Sequence, residues 1–83
     1  MKLTVRYFAS IREALGKGSE VVETEAQSVD ALRQMLIARG DAYAQSLARG
    51  KAVRVAIDKV MASDSDPLHE GCEVAFFPPV TGG

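Results

Sequence analysis

The 83-residue sequence has very few of the side chains that bind metals or form disulfides. It contains one cysteine, Cys72, and one histidine, His69. A single cysteine excludes an intramolecular disulfide and a cysteine-ligated iron–sulfur cluster held by one chain. We therefore expect no metal site, and we interpret Cys72 as a small, half-buried residue and His69 as an exposed loop residue.

The sequence also lacks an excess of charge of one sign and any long apolar run. Ten Lys and Arg against eleven Asp and Glu give a net charge of −1, so the basic surface of a nucleic-acid-binding protein is missing. No apolar run approaches the roughly 20 residues that span a bilayer, and Lys2 and Arg6 bring charge too early for a signal peptide. We expect no nucleic-acid partner, no membrane association and a cytoplasmic location.

Motifs for catalysis are absent as well. The sequence contains no GxxxxGK[ST] phosphate-binding loop and no recognisable arrangement of a nucleophile with a base. A domain of this length buries roughly 60–65% of its unfolded surface, which leaves little room for an enclosed active site. These features favour a carrier or binding module that is not catalytic on its own.

Alternating strand and helix patterns fill most of the sequence. Alternating apolar residues predict strands at Lys2–Phe8, Ser19–Thr24, Ala52–Asp58, Val60–Ala62 and Cys72–Phe77. Helical spacing predicts helices at Ala9–Leu15, Ser28–Arg39 and Asp41–Arg49, each followed by a glycine. The pattern predicts an α+β domain in which one main helix, capped by Ser28, packs across a mixed sheet of four to five strands.

The last strand carries apolar residues on both of its faces. Alternation directs Val74 and Phe76 to the core and Phe77 to the opposite face. Phe8 and Met61 are also apolar residues predicted on the face away from the helix. Together these side chains predict a patch that binds a partner, and isolated surface residues are the alternative interpretation.

The final residues, FFPPVTGG, divide the chain into a domain at 1–77 and an extended tail at 78–83. Pro78 and Pro79 disfavour helix, and the six tail residues can reach roughly 20 Å. Gly82 and Gly83 lack Cβ atoms and can therefore thread a narrow channel. The tail is either a frayed end or a device that delivers a carboxylate to another protein's active site. A carboxylate needs activation before it can be attacked, and adenylation with ATP by a separate enzyme is the usual route.

Three stretches of the sequence closely resemble the small subunits of molybdopterin synthase, a family of ubiquitin-like sulfur carriers. They are VRYFASIREALG at Val5–Gly16, VDALRQML at Val29–Leu36 and EVAFFPPVTGG at Glu73–Gly83. The resemblance covers the full length of the sequence, and the tail motif is highly specific. It implies the β-grasp, or ubiquitin-like, fold, in which the first and last strands pair in parallel at the centre of the sheet.

The resemblance also implies a role for the tail. Gly83 is expected to be adenylated by an E1-like adenylyltransferase, which uses ATP, and then to be converted to a thiocarboxylate. Inserted into the large subunit of a heterotetramer, Gly83 then donates sulfur to cyclic pyranopterin monophosphate, and two such transfers build the dithiolene of molybdopterin. The residues expected to thread the tail are Val80, Thr81 and Gly82, and those expected to contact the partners are Phe8, Met61, Phe77 and Pro78. The resemblance implies no bound cofactor.

One position departs from the family pattern, and several functions stay open. Many members carry Asn in the third strand where this sequence has Asp58, which puts an amide-specific hydrogen bond in doubt. The open alternatives are a sulfur carrier for thiamine or another sulfur pathway, a ubiquitin-like modifier that conjugates Gly83 to lysines, and an inert interaction module. Sulfur carriers and modifiers begin with the same adenylate, so the sequence discriminates poorly between them.

Overall fold

The computed structural model describes residues 1–48 and 53–79. The strands are β1 (Lys2–Tyr7), β2 (Ser19–Glu23), β3 (Arg54–Ile57), β4 (Val60–Ala62) and β5 (Glu73–Phe77). The helices are α1 (Ala9–Leu15), α2 (Val29–Ile37) and α3 (Asp41–Leu47). Each of these elements was predicted, with bounds that differ by up to two residues.

The five strands of the described chain form one mixed sheet in the order β2-β1-β5-β3-β4. β1 and β5 run parallel, with Tyr7 opposite Phe76, and the other three pairings are antiparallel. The expected parallel pairing of the first and last strands is confirmed, and β5 is the central strand of the sheet.

The core lies between the sheet and helix α2. Inward-facing residues of the strands and the apolar stripe of α2 form one buried cluster, which includes Leu3, Val5, Tyr7, Val22, Val29, Leu32, Leu36, Val55, Cys72, Val74 and Phe76. The prediction of a half-buried Cys72 was wrong, because this side chain is fully buried. Cys72 directly precedes β5 and continues its alternation, so its side chain faces the core as those of Val74 and Phe76 do. Its carbonyl accepts the Thr4 N–H at 3.1 Å, which holds this residue beside β1.

Helix α2 begins as predicted but ends earlier. The Ser28 hydroxyl accepts the Ala31 N–H at 3.2 Å, which caps the first turn. The predicted end at Arg39 was wrong: α2 ends at Ile37, and the N–H groups of Arg39 and Gly40 donate three residues back, to Leu36 and Ile37. This tighter turn closes the helix and releases Arg39 to bind elsewhere.

The other described boundaries lie within one or two residues of the predicted ones. Gly16 ends α1 with φ 73°, a left-handed conformation that suits glycine. Helix α3 ends at Leu47. The predicted last residue of this helix, Arg49, and the predicted first residue of the third strand, Ala52, lie outside the described residues. No helix within residues 1–48 and 53–79 has the length and apolarity needed to cross a membrane.

Candidate docking surface and the start of the tail

Strand register places several apolar residues on the face of the sheet that is turned away from α2. Ala75 of β5 lies opposite Ala56 of β3, and Ala56 lies opposite Met61 of β4. Phe77 shares this face because it lies two residues beyond Ala75. Ala56 and Ala75 are only 7% and 9% exposed, so they form the flat, buried centre of this face, whereas Met61 is 56% exposed.

Phe8 completes this surface from the neighbouring strand. Its N–H donates to the Phe76 carbonyl at 3.2 Å, so the parallel pairing of β1 and β5 continues to the level of Phe8 and Phe77. Phe8 is 39% exposed and Phe77 is half-buried. The structure thus brings three of the four predicted contact residues, Phe8, Met61 and Phe77, to one face, and contact of all four with partners stays a prediction. The outer patch is defined here as Phe8, Ala56, Met61, Ala75 and Phe77.

Two arginines border the outer patch. The Arg6 guanidinium lies 5.2 Å from the centroid of the Phe8 ring and 3.6 Å from the Glu73 carboxylate. Arg54 lies directly opposite Phe77 and is exposed. An apolar centre with arginine at its border is the usual composition of a protein–protein interface.

The residue after Phe8 has an unusual backbone conformation. Ala9, at the start of α1, has φ 51°. A left-handed conformation costs a residue other than glycine roughly 1–2 kcal/mol. This turn redirects the chain immediately after Phe8 and so fixes how Phe8 is presented.

The β3–β4 hairpin holds Met61 at the border of the outer patch. Its turn residues, Asp58 and Lys59, have φ 49° and 71°, and a two-residue type I′ turn requires both to be positive. Asp58 Oδ1 accepts the Glu73 N–H at 2.9 Å, and the Asp58 N–H donates to the Glu73 carbonyl at 2.8 Å. This bond needs only a side-chain oxygen, so aspartate supplies it as well as asparagine does. Exposed His69, as predicted a loop residue, places Nε2 3.1 Å from Asp58 Oδ2.

A polar cluster beneath the sheet was missed by the sequence analysis. Glu20 of β2 accepts hydrogen bonds from the Tyr7 hydroxyl at 2.7 Å, the Tyr43 hydroxyl at 3.0 Å and the Arg39 guanidinium at 2.7 Å. Burial opposes the charge of Glu20, but the hydrogen bonds from Tyr7, Arg39 and Tyr43 outweigh it and lower the pKa of Glu20. Burial and the Glu20 carboxylate raise the pKa of Tyr7. A buried tyrosine usually has a hydrogen-bond partner for its hydroxyl. The inward-facing Tyr7 of β1 was therefore the feature of the sequence that indicated a polar partner in this region.

Arg33 is a second residue that the sequence analysis missed. It is 4% exposed, and its guanidinium lies 3.3 Å from the Asp64 carboxylate and 5.9 Å from the centroid of the Phe76 ring. Arg33 lies four residues after Val29 and so falls on the buried stripe of α2. On its other side Phe76 stacks on Tyr7, with 6.4 Å between centroids. These contacts hold the end of β5 firmly in the core.

The tail begins directly after this anchored strand. Pro78 and Pro79 are half-buried and continue the chain outside regular secondary structure. The predicted threading residues Val80, Thr81 and Gly82, and the predicted carrier residue Gly83, lie outside the described residues, so their roles stay predictions. Among the residues that the structure describes, no three His, Cys, Asp or Glu side chains group closely enough to hold a metal ion.

A mixed sheet with parallel first and last strands, crossed by one main helix, defines the class of ubiquitin-like β-grasp proteins. Residues 5–83 match the ThiS family, and the chain belongs to that family.

Comparison with known proteins also confirms the resemblance to molybdopterin synthase small subunits. The molybdopterin synthase sulfur carrier subunits of Escherichia coli and Haemophilus influenzae are 42% and 38% identical to this chain, over 98% of its length and 99% of theirs. Subunits 1 and 2 of the molybdopterin-converting factor from Helicobacter pylori have been solved as a complex, and a chain of that structure matches with a TM-score of 0.70. That match covers 100% of both chains at 23% identity, so it bears on the fold alone.

Proposed function

We propose that this protein is the sulfur carrier subunit of a molybdopterin synthase, and that it carries sulfur on Gly83 during molybdenum cofactor biosynthesis. The observation that carries the proposal is the path of β5. This central strand passes through the core, emerges beside the outer patch at Phe77 and continues into Pro78 and Pro79. A carrier needs this arrangement, because its reactive end must be held at a fixed distance from the surface that docks on an enzyme.

The anchoring of β5 supports accurate delivery of the tail. Phe76 is fully buried between Tyr7 and Arg33, so the start of the tail cannot shift without disrupting the core. Beyond it, six residues from Pro78 to Gly83 reach roughly 20 Å when extended. Docking at the outer patch therefore restricts Gly83 to a small volume inside the receiving enzyme, which raises its effective concentration there.

The chemistry that we propose begins with activation of the Gly83 carboxylate. A carboxylate oxygen attacks the α-phosphorus of ATP, forms the acyl-adenylate and releases pyrophosphate. A sulfur nucleophile at the oxidation level of sulfide then attacks the carbonyl carbon and displaces AMP, which leaves a thiocarboxylate. In the synthase the thiocarboxylate sulfur attacks a carbon of cyclic pyranopterin monophosphate and displaces an oxygen substituent, which forms a thioester between Gly83 and the pterin. Water then hydrolyses the thioester, which leaves the sulfur on the pterin and returns Gly83 to a carboxylate, and two such cycles supply the dithiolene of molybdopterin.

Two partners follow from this proposal. The large subunit of the synthase takes the tail for sulfur transfer, and the complex of subunits 1 and 2 of the Helicobacter pylori relative supports such a pairing. An E1-like adenylyltransferase takes the same tail for activation and uses ATP, so the carrier itself requires no cofactor. Because ATP-dependent activation takes place in the cytoplasm, we assign the carrier to that compartment.

The relatives favour this function over the other sulfur pathways. The two curated relatives, which cover nearly the whole chain, are both sulfur carrier subunits of molybdopterin synthase. A ubiquitin-like modifier would use the same adenylate and differ only in the nucleophile that attacks it, a lysine amine in place of sulfur. The two functions are therefore separated by the products that form.

Adding one residue after Gly83 tests the proposed function. The addition converts the reactive carboxyl group into a peptide bond, so a synthase reconstituted with this variant should form no molybdopterin. The matched control is the same residue added before Met1, which should leave molybdopterin formation unchanged. Product is measured by chromatography in the presence of the activating enzyme, ATP, a sulfur donor, the large subunit and cyclic pyranopterin monophosphate. Molybdopterin formation by the extended protein, with intact mass proving it unprocessed, would contradict the mechanism.

A further inference from the structure

A cleft of about 450 Å³ lies at the start of the tail. Ile11 of its lining belongs to the core cluster and Val53 packs against that cluster, so the cleft lies on the helix side of the sheet, opposite the outer patch. Four separate parts of the chain form this tail-root cleft: helix α1, helix α3, the residue before β3 and the residues after β5. The described residues that line it are Ser10, Ile11, Ala14, Gln45, Ser46, Val53, Pro78 and Pro79.

The described lining of the tail-root cleft is apolar at its floor and carries no charged side chain. Ile11 is buried and Val53, Pro78 and Pro79 are half-buried, whereas Ser10 and Gln45 are exposed at the rim. None of the eight described lining residues is charged, although a quarter of the chain is Asp, Glu, Lys or Arg. A concave surface with an apolar floor of this kind accommodates an apolar side chain, because entry removes apolar area of Ile11, Val53 and the two prolines from water.

The position of the cleft indicates which protein covers it. Pro78 and Pro79 belong both to the cleft wall and to the first residues of the tail. An enzyme that encloses the tail so that Gly83 reaches its active site must surround the chain close to these prolines. On one side of them it meets Phe8 and Phe77 of the outer patch, and on the other it meets the tail-root cleft.

We propose that the tail-root cleft receives an apolar side chain of the molybdopterin synthase large subunit, as a second contact that grips the carrier on the far side of the tail. This inference rests on the proposed function, because it takes the large subunit as the protein that encloses the tail. The cleft and the outer patch then fix the direction of the tail from two sides, which a single patch on one face of the sheet does not achieve.

Charged residues placed in the two walls of the cleft test this inference. Ala14→Arg on α1 and Gln45→Arg on α3 replace exposed side chains, so both proteins should fold and melt as the wild type does. Each variant should raise the dissociation constant for the large subunit of the same organism by about tenfold or more, as loss of one well-packed contact does. Ala31→Arg is the matched control, because Ala31 is an exposed helical alanine on α2 outside the cleft, and its binding should equal that of the wild type.

Isothermal titration calorimetry with the full-length carrier and the purified large subunit provides the readout. Weaker binding by both cleft variants, with wild-type binding by Ala31→Arg, supports the inference. Wild-type or tighter binding by both cleft variants overturns it, and tighter binding would indicate that the tail itself occupies the cleft in the free protein. Absence of binding by the wild-type carrier overturns the proposed function together with this inference. Weakening by Phe77→Ala with wild-type affinity in both cleft variants overturns the inference alone.

Discussion

Replacing Glu20 by glutamine should destabilise the fold. The Glu20 carboxylate connects β2 to Tyr7 of β1, to Tyr43 of α3 and to Arg39, which lies two residues after α2. It accepts from Tyr7, Tyr43 and Arg39 at 2.7–3.0 Å. Glu20 Oε2 accepts from both tyrosines and Oε1 accepts from Arg39. Glutamine keeps one acceptor oxygen and replaces the other by a donor, so either Arg39 or the pair of tyrosines loses its acceptor. Tyr7 is 1% exposed.

The magnitude follows from these exposures. A buried donor without an acceptor costs roughly 1–3 kcal/mol. Loss of the charge-assisted bond from Arg39 costs less, since the Arg39 side chain is 37% exposed and water screens the pair. Because the two losses are alternatives, the expected cost is about 1–3 kcal/mol, which lowers the melting temperature of a domain of this size by roughly 5–20 °C.

The effect should depend on pH with a defined sign. The pKa of Glu20 is lower in the folded protein than in the unfolded chain, so the folded state binds fewer protons. The stabilisation by the carboxylate is complete above the unfolded carboxyl pKa of about 4.3 and is lost as pH falls through the lower folded pKa. The difference in unfolding free energy between wild type and Glu20→Gln should therefore be large at pH 7 and shrink in acid.

Urea unfolding followed by circular dichroism, at pH 7 and at about pH 3, measures both effects. Glu13→Gln is the matched control, because Glu13 is exposed on α1. Its unfolding free energy should stay within about 0.5 kcal/mol of the wild type. Equal stability of Glu20→Gln and wild type at pH 7, or a difference that grows in acid, would refute the role assigned to Glu20.

Substitutions at three further positions, Phe77, Lys59 and Asp58, test the docking surface and the hairpin that supports it. Phe77→Ala should weaken large-subunit binding by about 2 kcal/mol or more by calorimetry. Val21→Ala, at an exposed residue outside the outer patch, should leave this affinity unchanged. Equal affinities of Phe77→Ala and the wild type would place the interface elsewhere. Lys59→Gly should raise the free energy of unfolding in urea by about 0.5–1 kcal/mol, because glycine adopts the positive φ of the turn without strain, and a lower free energy of unfolding would contradict the turn assignment. Asp58→Asn should change stability by less than about 0.5 kcal/mol, since its amide oxygen still accepts the Glu73 N–H, whereas Asp58→Ala should lose about 1 kcal/mol or more.

Features set by local periodicity were predictable from the sequence. Alternation in the first and last strands placed Phe8 and Phe77 on the face opposite Tyr7 and Phe76, and the cap at Ser28 located the start of α2. The parallel pairing of β1 and β5 came from the family resemblance, because periodicity alone does not say which strands are neighbours.

Features that depend on distant contacts were not predictable in this way. Glu20 meets Tyr43 across 23 positions of sequence, and no local pattern joins them. Arg33 reads as a surface residue, yet the Phe76 ring and the Asp64 carboxylate make its burial possible. The tail-root cleft likewise exists only once α1, α3 and the end of β5 have been brought together.

The intact mass of the protein after incubation with ATP, a sulfur donor and the activating enzyme of the same organism tests the central claim most directly. The account predicts a mass gain equal to the exchange of one oxygen for one sulfur, localised by fragmentation to Gly83 and absent when ATP is omitted. An unchanged carrier mass, accompanied by attachment of the carrier to lysines of other proteins, would contradict it and indicate a protein modifier.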